Sequence, residues 1–195
     1  FSFTCKVFEE ISLTHRRAWG QPSPASLEAN PSFLSVELFK RYADSIQEIL
    51  PRTEGLILEF EYLNKDKMPS LTVFLDRLDT FVEGVGKGYP LAIETRNKAY
   101  LTDEYFRFLD ERGLMPVFSE KLYMPPIHEV YGEHRALVRH GAILRLLGGD
   151  RKEIEARTGG EWNRIVEPKE GKEKIADMSI DLKYRGNSVI ISVNN

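Results

Sequence analysis

Cysteine is almost absent from this sequence, because its 195 residues include a single one, Cys5. One thiol excludes an internal disulfide, which is typical of proteins that work in a reducing compartment. No stretch approaches the roughly 18 uninterrupted apolar residues of a membrane helix, and no cationic, apolar signal peptide opens the chain. The sequence therefore predicts a cytoplasmic protein without a membrane partner.

Excess charge and cofactor signatures are absent as well. The formal net charge is −3, which provides no general attraction to nucleic acid, so a nucleic-acid partner is not expected. No G-x-G-x-x-G turn follows a strand, and neither H-E-x-x-H nor paired cysteines occur. The sequence predicts no metal site and identifies no cofactor, and it leaves the oligomeric state open.

What the sequence does contain is an alternation of β-rich runs and segments with helical spacing. Strands are predicted at residues 1–7, 56–61, 91–96, 114–118, 142–147 and 188–193. Helices are predicted at residues 36–50, 71–82, 105–109 (behind the N-cap Thr102) and 175–182. This alternation indicates parallel strands that are joined by helical crossovers.

The alternation fits two α/β architectures, an open doubly wound sheet or a closed barrel. The missing glycine-rich turn weakens the dinucleotide-binding form of the open sheet. A complete (β/α)8 barrel has about 250 residues, and six βα units are present here. We predict a parallel TIM-like barrel that is incomplete, as a single partial domain over residues 1–195 that is truncated at both ends.

The segments between the strands give further expectations. Residues 15–35 are rich in proline and predict a long irregular loop after the first strand. His128, His134 and His140 lie in a polar connecting region and are predicted to be solvated. Cys5 is predicted to be a buried packing residue on the outward face of its strand.

Polar side chains at the ends of the predicted strands form the candidate site. Side chains alternate along a strand, so in residues 91–96 the more apolar face should meet helices, and Glu94 and Arg96 should point inward. The same reasoning directs other polar residues to the interior, namely Lys6, Glu59, Glu61, Arg145 and Asn194. Five strands thus direct polar groups to the end of the barrel where enzymes of this fold keep their sites.

These strand ends also carry a family resemblance. The matching segments are Phe1-Ser2-Phe3-Thr4-Cys5-Lys6-Val7 with Leu13-Thr14-His15, Ala92-Ile93-Glu94-Thr95-Arg96-Asn97, Arg145-Leu146-Leu147-Gly148 and Asn194-Asn195. In order and spacing they resemble the motifs of the YecE-like family (domain of unknown function 72, DUF72). The resemblance implies a TIM-like barrel of unassigned activity. It also implies that two strands precede Phe1 and a helix follows Asn195.

The sequence departs from the family pattern at three positions. Asn97 and Leu147 stand where the family has histidine, and Glu59 stands where glutamine is common. These departures weaken any mechanism that relies on the two histidines.

Three functions follow as hypotheses. The first is a protein that binds a small anionic or phosphorylated ligand and acts on it by acid/base or hydrolytic chemistry. Its proton-transfer or nucleophilic residues would be Glu94, Lys6, His15 and Glu59, and its ligand-binding residues would be Arg96, Arg145, Asn97 and Asn194. The second is a metal-dependent hydrolase or nuclease-like barrel, and the third is a non-catalytic binding protein whose charges pair with each other.

Overall fold

The computed structural model describes residues 1–17, 27–121, 123–146, 155–156, 158–160 and 171–193. The chain divides into two compact units, residues 1–100 and residues 101–195. Each unit contains three parallel strands with helices between them.

The first unit is built around a central strand with a parallel neighbour on either side. Its elements in chain order are β1 (Phe3–Lys6), α1 (Glu9–Ser12), β2 (His15–Arg17), β3 (Leu27–Ala29), α2 (Val36–Ser45), β4 (Thr53–Glu59), α3 (Leu71–Val85) and β5 (Leu91–Glu94). Strand β4 pairs with β1 through Lys6 opposite Ile57, and with β5 through Glu59 opposite Glu94. The polar carboxyl ends of the three strands therefore lie side by side.

Local sequence signals set the ends of the helices in this unit. The hydroxyl of Ser35 accepts a hydrogen bond from the backbone N–H of Leu38 and begins α2. Ser70 does the same for Val73 at the start of α3, as expected for serine N-caps. Helix α3 ends at Gly86, whose φ of 83° lies in the left-handed region that glycine adopts without strain.

The core of the first unit lies between the sheet and its helices. Phe60, at the end of β4, makes edge-to-face contacts with Phe33 and with Phe74 of α3, at centroid distances of 6.1 and 4.9 Å. Leu56 and Leu58 are completely buried on the same face of β4. The alternation predicted for this strand is confirmed for Phe60, because this face packs against a helix and leaves Glu59 for the other face.

The second unit also has a central strand between two parallel neighbours. Its elements are α4 (Asp103–Glu111), β6 (Met115–Glu120), α5 (Ile127–His134), β7 (Ala142–Leu146), α6 (Lys172–Tyr184) and β8 (Val189–Val193). Strand β7 pairs with β6 and with β8. At its start, Gly141 has a φ of 99°, and a Cβ there would lie 2.9 Å from the carbonyl oxygen of Ser188, so the position requires glycine.

The structure confirms the α/β class and all six predicted strands, with the parallel barrel-like alternation of strands and helices. The predicted N-cap Thr102 is also confirmed, since its hydroxyl accepts from the backbone N–H of Tyr105. Among the described helices, none is long and apolar enough to cross a membrane.

Two of the connecting segments differ from their predictions. The segment predicted as an irregular loop contains the antiparallel hairpin β2–β3, which pairs His15 with Ala29. The connecting region that follows Pro126 forms the two-turn helix α5. In both places long-range packing adds regular structure to a segment whose composition is typical of a loop.

Two side-chain expectations also need correction. His134 is 8% exposed and not solvated, because its ring stacks on Phe106 at 4.4 Å and its Nδ1 lies 2.7 Å from Oδ1 of Asp103. His128 is only partly exposed, whereas the side chain of His140 is 44% exposed. Cys5 is half-buried and not fully buried.

Candidate functional site

Two basic residues share one carboxylate at the carboxyl end of the first unit's sheet. Glu59 ends β4, and its side chain is 9% exposed. Its Oε2 lies 3.3 Å from Nζ of Lys6 at the end of β1. Its Oε1 accepts a hydrogen bond from the guanidinium of Arg96, two residues beyond β5. Three of the predicted site residues are therefore in direct contact, and we call them the Glu59 cluster.

Glu94 is the fully buried member of the same neighbourhood. It is 0% exposed and faces Glu59 across the β4–β5 ladder as its register partner. Residues paired in this way have Cα atoms about 5 Å apart. Two acidic and two basic side chains thus stand at adjoining strand ends of the first unit.

A second polar group follows at the next position of the same strand face. Glu61 accepts hydrogen bonds through Oε1 from the backbone N–H of Thr14 at 3.3 Å and from its hydroxyl at 2.9 Å. Its Oε2 pairs with Lys67. His15 joins through Nδ1, which lies 3.0 Å from the hydroxyl oxygen of Thr14. We call these four residues the Glu61 relay.

Asn30 fixes the chain that carries the relay. Its side-chain amide donates to the carbonyl oxygens of Glu10 at 2.7 Å and Leu13 at 2.6 Å. Its backbone N–H donates to the carbonyl of Thr14 at 2.9 Å. Asn30 is 6% exposed, so these bonds are shielded from water and hold α1 and the hairpin in one arrangement.

Asn97, which was predicted to bind a ligand, makes backbone contacts. Its Oδ1 accepts from the N–H of Leu63 at 2.8 Å, and its Nδ2 donates to the carbonyl of Leu63 at 2.7 Å. Its own N–H donates to the hydroxyl of Thr95 at 3.2 Å. In this structure the amide positions the segment after β4, directly beyond Glu61.

The two remaining predicted residues belong to the second part of the chain. Arg145 lies on β7, half-buried, with Ser119 and Ser192 as its register partners. Asn194 lies outside the described residues, as does Gly148 of the strand motif. The role of Arg145 and Asn194 in ligand binding therefore remains a prediction from the sequence.

One side chain behind the Glu59 cluster has a strongly shifted pKa. Tyr42 of α2 is 4% exposed, and its hydroxyl donates to the carbonyl oxygen of Lys6 at 3.2 Å. Burial first, and then the neighbouring Cys5, raise the pKa of Tyr42 to about 12. The phenol therefore stays neutral and attaches α2 to the end of β1 over the usual pH range.

A metal site would require several ligands that converge on one point. In the part of the chain that the structure describes, no group of three or more histidine, cysteine, aspartate or glutamate side chains is placed to hold a metal ion. The carboxylates of Glu59 and Glu61, which have the oxygen atoms that a hard metal ion prefers, contact lysine and arginine.

The sequence pattern predicts the residues of the Glu59 cluster but not most of the residues that support the Glu61 relay. Strand alternation predicts Lys6, Glu59 and Arg96, because each lies at or just beyond the end of a strand. Thr14 and Asn30 gave no such signal, since their partners are distant in sequence, 47 residues away for the Thr14–Glu61 pair. The motif Leu13-Thr14-His15 was the one sign that this segment matters.

The fold and these strand ends together define an α/β barrel-like protein with ion-paired side chains at the carboxyl ends of its strands. Over residues 1–195 the sequence matches the profile of the family described as "Protein of unknown function DUF72", and the chain belongs to that family. The resemblance seen in the sequence motifs is confirmed. A search of curated proteins gives no match to the chain.

A solved structure supports the fold. The chain is similar to a DUF72 family protein from Thermotoga maritima MSB8, with a TM-score of 0.54 and 18% sequence identity. The similarity covers 82% of this chain and 57% of that protein. The chain therefore spans little more than half of the length of the similar structure, and the likeness concerns the fold alone.

Proposed function

We propose that the carboxyl end of the first unit's sheet binds a small anionic ligand, such as a phosphorylated compound, through Lys6 and Arg96. The observation that carries this proposal is the arrangement of two cations on one carboxylate. Lys6 and Arg96 together carry more N–H donors than Glu59 can accept, and their side chains are 47% and 35% exposed. Donors that remain accessible there can reach an anion from solution.

We further propose that acid/base chemistry on this ligand involves Glu94, Glu59 and His15, with Arg145, Asn97 and Asn194 as additional ligand contacts. What supports the acidic residues is their position, since Glu59 and Glu94 are neighbours at the strand ends. The single-domain organisation and the cytoplasmic location predicted from the sequence are part of the same proposal.

The test is the binding of inorganic phosphate to the full chain by titration calorimetry. Lys6→Met and Arg96→Leu each remove one charged donor, and such bonds contribute about 1.5–3 kcal/mol. We expect each variant to weaken phosphate binding by about tenfold or more. Lys40→Met and Arg41→Leu are matched controls, because both residues are exposed on α2, and they should leave the affinity unchanged. Equal affinity in all four variants, or no binding by the parent chain, contradicts the proposal.

One observation also favours a second function, a non-catalytic protein in which these charges serve only structure. Both cations contact Glu59 and so satisfy its buried carboxylate. Glu59→Gln separates the two proposals. For an anion site, loss of the competing carboxylate leaves phosphate binding intact or tighter. For a purely structural cluster, the melting temperature falls and the variant, like the parent chain, binds no phosphate.

A further inference from the structure

The hydrogen bonds of the Glu61 relay fix which ring nitrogen of His15 carries a proton. Glu61 is paired with Lys67, and an ionised carboxylate has only acceptor oxygens. The hydroxyl of Thr14 lies 2.9 Å from Oε1 of Glu61, so the single hydroxyl hydrogen is directed to that oxygen. The hydroxyl oxygen of Thr14 can then only accept from its other neighbour.

That other neighbour is Nδ1 of His15, at 3.0 Å. Because Thr14 has no second hydrogen to donate, Nδ1 must carry the proton, and neutral His15 is the Nδ1–H tautomer. Its Nε2 is then left with a lone pair. Within the part of the chain that the structure describes, Nε2 makes no hydrogen bond, and the ring is half-buried. The ring nitrogen that is not bonded to Thr14 is therefore the basic one.

The relay also lies next to the proposed anion site. Glu59 and Glu61 occupy alternate positions of one extended segment, because the backbone N–H of Phe60 still donates to the carbonyl of Glu94 at 2.9 Å. Residues two apart in a strand share a face and are about 7 Å apart along it. A ligand held by Lys6 and Arg96 at Glu59 is thus next to the group that orients His15.

We propose that His15 is the proton-accepting residue of this site, that Nε2 is the acting atom, and that Thr14 and Glu61 are its positioning residues. For its ligand, this inference rests on the proposed anion site. When a protic group of the ligand, such as a hydroxyl, gives up its proton, its O–H bond breaks and an N–H bond forms at Nε2. The ring becomes positively charged, and the carboxylate of Glu61 stabilises that charge through Thr14.

The decisive measurement is the tautomer of His15 by nitrogen-15 NMR of the labelled full chain over a pH series. The chain has four histidines, and the His15→Gln variant identifies the signals of His15 by their loss. We expect the neutral ring to be protonated at Nδ1 and unprotonated at Nε2. A neutral ring protonated at Nε2 overturns the inference. Because the tautomer is measured on the parent chain, the result does not depend on whether variants of Thr14 or Glu61 fold.

Variants of Thr14 then separate positioning from mere packing. Thr14→Ser keeps the hydroxyl and should keep the tautomer, whereas Thr14→Val removes it and should give a mixture of tautomers or the reverse one. Thr80→Val is the matched control, since the hydroxyl of Thr80 bonds within its own helix to Asp76. An unchanged tautomer in a folded Thr14→Val variant contradicts the role of Thr14.

Titration of the same samples with inorganic phosphate distinguishes the two proposals. If phosphate binds and the Nε2 signal of His15 shifts, both stand. If phosphate binds and no signal of His15 moves, the anion site stands and the role of His15 is overturned. If no phosphate binds, the proposed function fails, and the tautomer measurement still decides whether the relay positions His15 as inferred.

Discussion

At the scale of single residues, the buried phenol of Tyr42 makes the stability of the fold depend on pH. Its pKa is raised from 10.0 to about 12 in the folded chain. Between these values the unfolded chain has lost the phenol proton and the folded chain still holds it, so folding stability falls as the pH rises. The stabilisation is fully present below pH 10 and is lost as the pH approaches 12.

We therefore expect the free energy of unfolding in urea to fall by up to about 3 kcal/mol between pH 10 and pH 12 through Tyr42. In Tyr42→Phe this part of the decline should disappear. Tyr62→Phe is the control, because Tyr62 is 64% exposed and should keep the decline. Identical alkaline profiles for Tyr42→Phe and the parent chain would show that the phenol is not held neutral.

Asn97 gives the second prediction at this scale. Both atoms of its amide bond the backbone of Leu63, and the residue is 5% exposed. Asn97→Ala should lower the free energy of unfolding by about 2 kcal/mol, because two hydrogen bonds are lost and buried backbone groups stay unpaired. Asn64→Ala, in an exposed part of the same segment, is the comparison. A stable Asn97→Ala variant with weakened phosphate binding would favour the ligand-binding role predicted from the sequence.

At the scale of elements, one carboxylate joins two helices of the second unit. Asp181 of α6 accepts from the hydroxyl of Tyr131 of α5 at 2.5 Å and from Nε of Arg135 at 2.6 Å. Arg135 first, and then Tyr131, hold the pKa of Asp181 at about 2, below its ordinary 3.8. A lowered carboxyl pKa stabilises the fold above about pH 4, and this contribution is lost as the pH falls towards 2.

The expected result is that Asp181→Asn destabilises the chain at neutral pH and removes part of its acid sensitivity between pH 4 and 2. Thermal unfolding followed by circular dichroism over that range measures both effects. Asp177→Asn, on the same helix and exposed, serves as the control and should resemble the parent chain. Equal acid profiles for both variants would mean that α5 and α6 are not joined through this carboxylate.

The hairpin β2–β3 depends on Asn30 in a comparable way. Asn30→Ala removes bonds to the carbonyls of Glu10 and Leu13, and we expect a loss of about 1–3 kcal/mol in the free energy of unfolding. Because Asn30 also bonds the backbone of Thr14, amide hydrogen exchange should accelerate around residues 13–17 more than in α3. Uniform acceleration throughout the first unit would contradict a local role.

The sequence predicts an element well when local residues determine it, and poorly when contacts with distant residues determine it. The strands β4 and β5 were predictable because their apolar runs are local and continuous. The hairpin was not, since Thr14, His15 and Arg16 are polar and become regular only when Asn30 and Glu61 satisfy their hydrogen bonds. For the site, alternation located Lys6 and Glu59, but no local rule specifies that Asn97 turns to the backbone of Leu63.

At the scale of the whole molecule, the two titrating residues belong to different units, and among the described residues their hydrogen-bond partners are different. Tyr42 acts within residues 1–100 and Asp181 within residues 101–195. Effects of independent sites usually add within about 0.5 kcal/mol. In the double variant Tyr42→Phe/Asp181→Asn, the change in the free energy of unfolding at each pH should therefore equal the sum of the changes in the two single variants. A large deviation from additivity, measured by urea unfolding at pH 3, 7 and 11, would reveal coupling between the two groups.

In the proposed anion site, the shared carboxylate of the Glu59 cluster would also determine which anion is selected. Lys6 and Arg96 already have an internal counterion, so an incoming anion must displace a tethered one, as in an ion-exchange resin. Chloride would replace one negative charge by another and gain little, whereas a phosphate dianion brings more charge and more acceptor oxygens. Selectivity at such a centre follows from valence and geometry, even though the whole chain carries a net charge of −3.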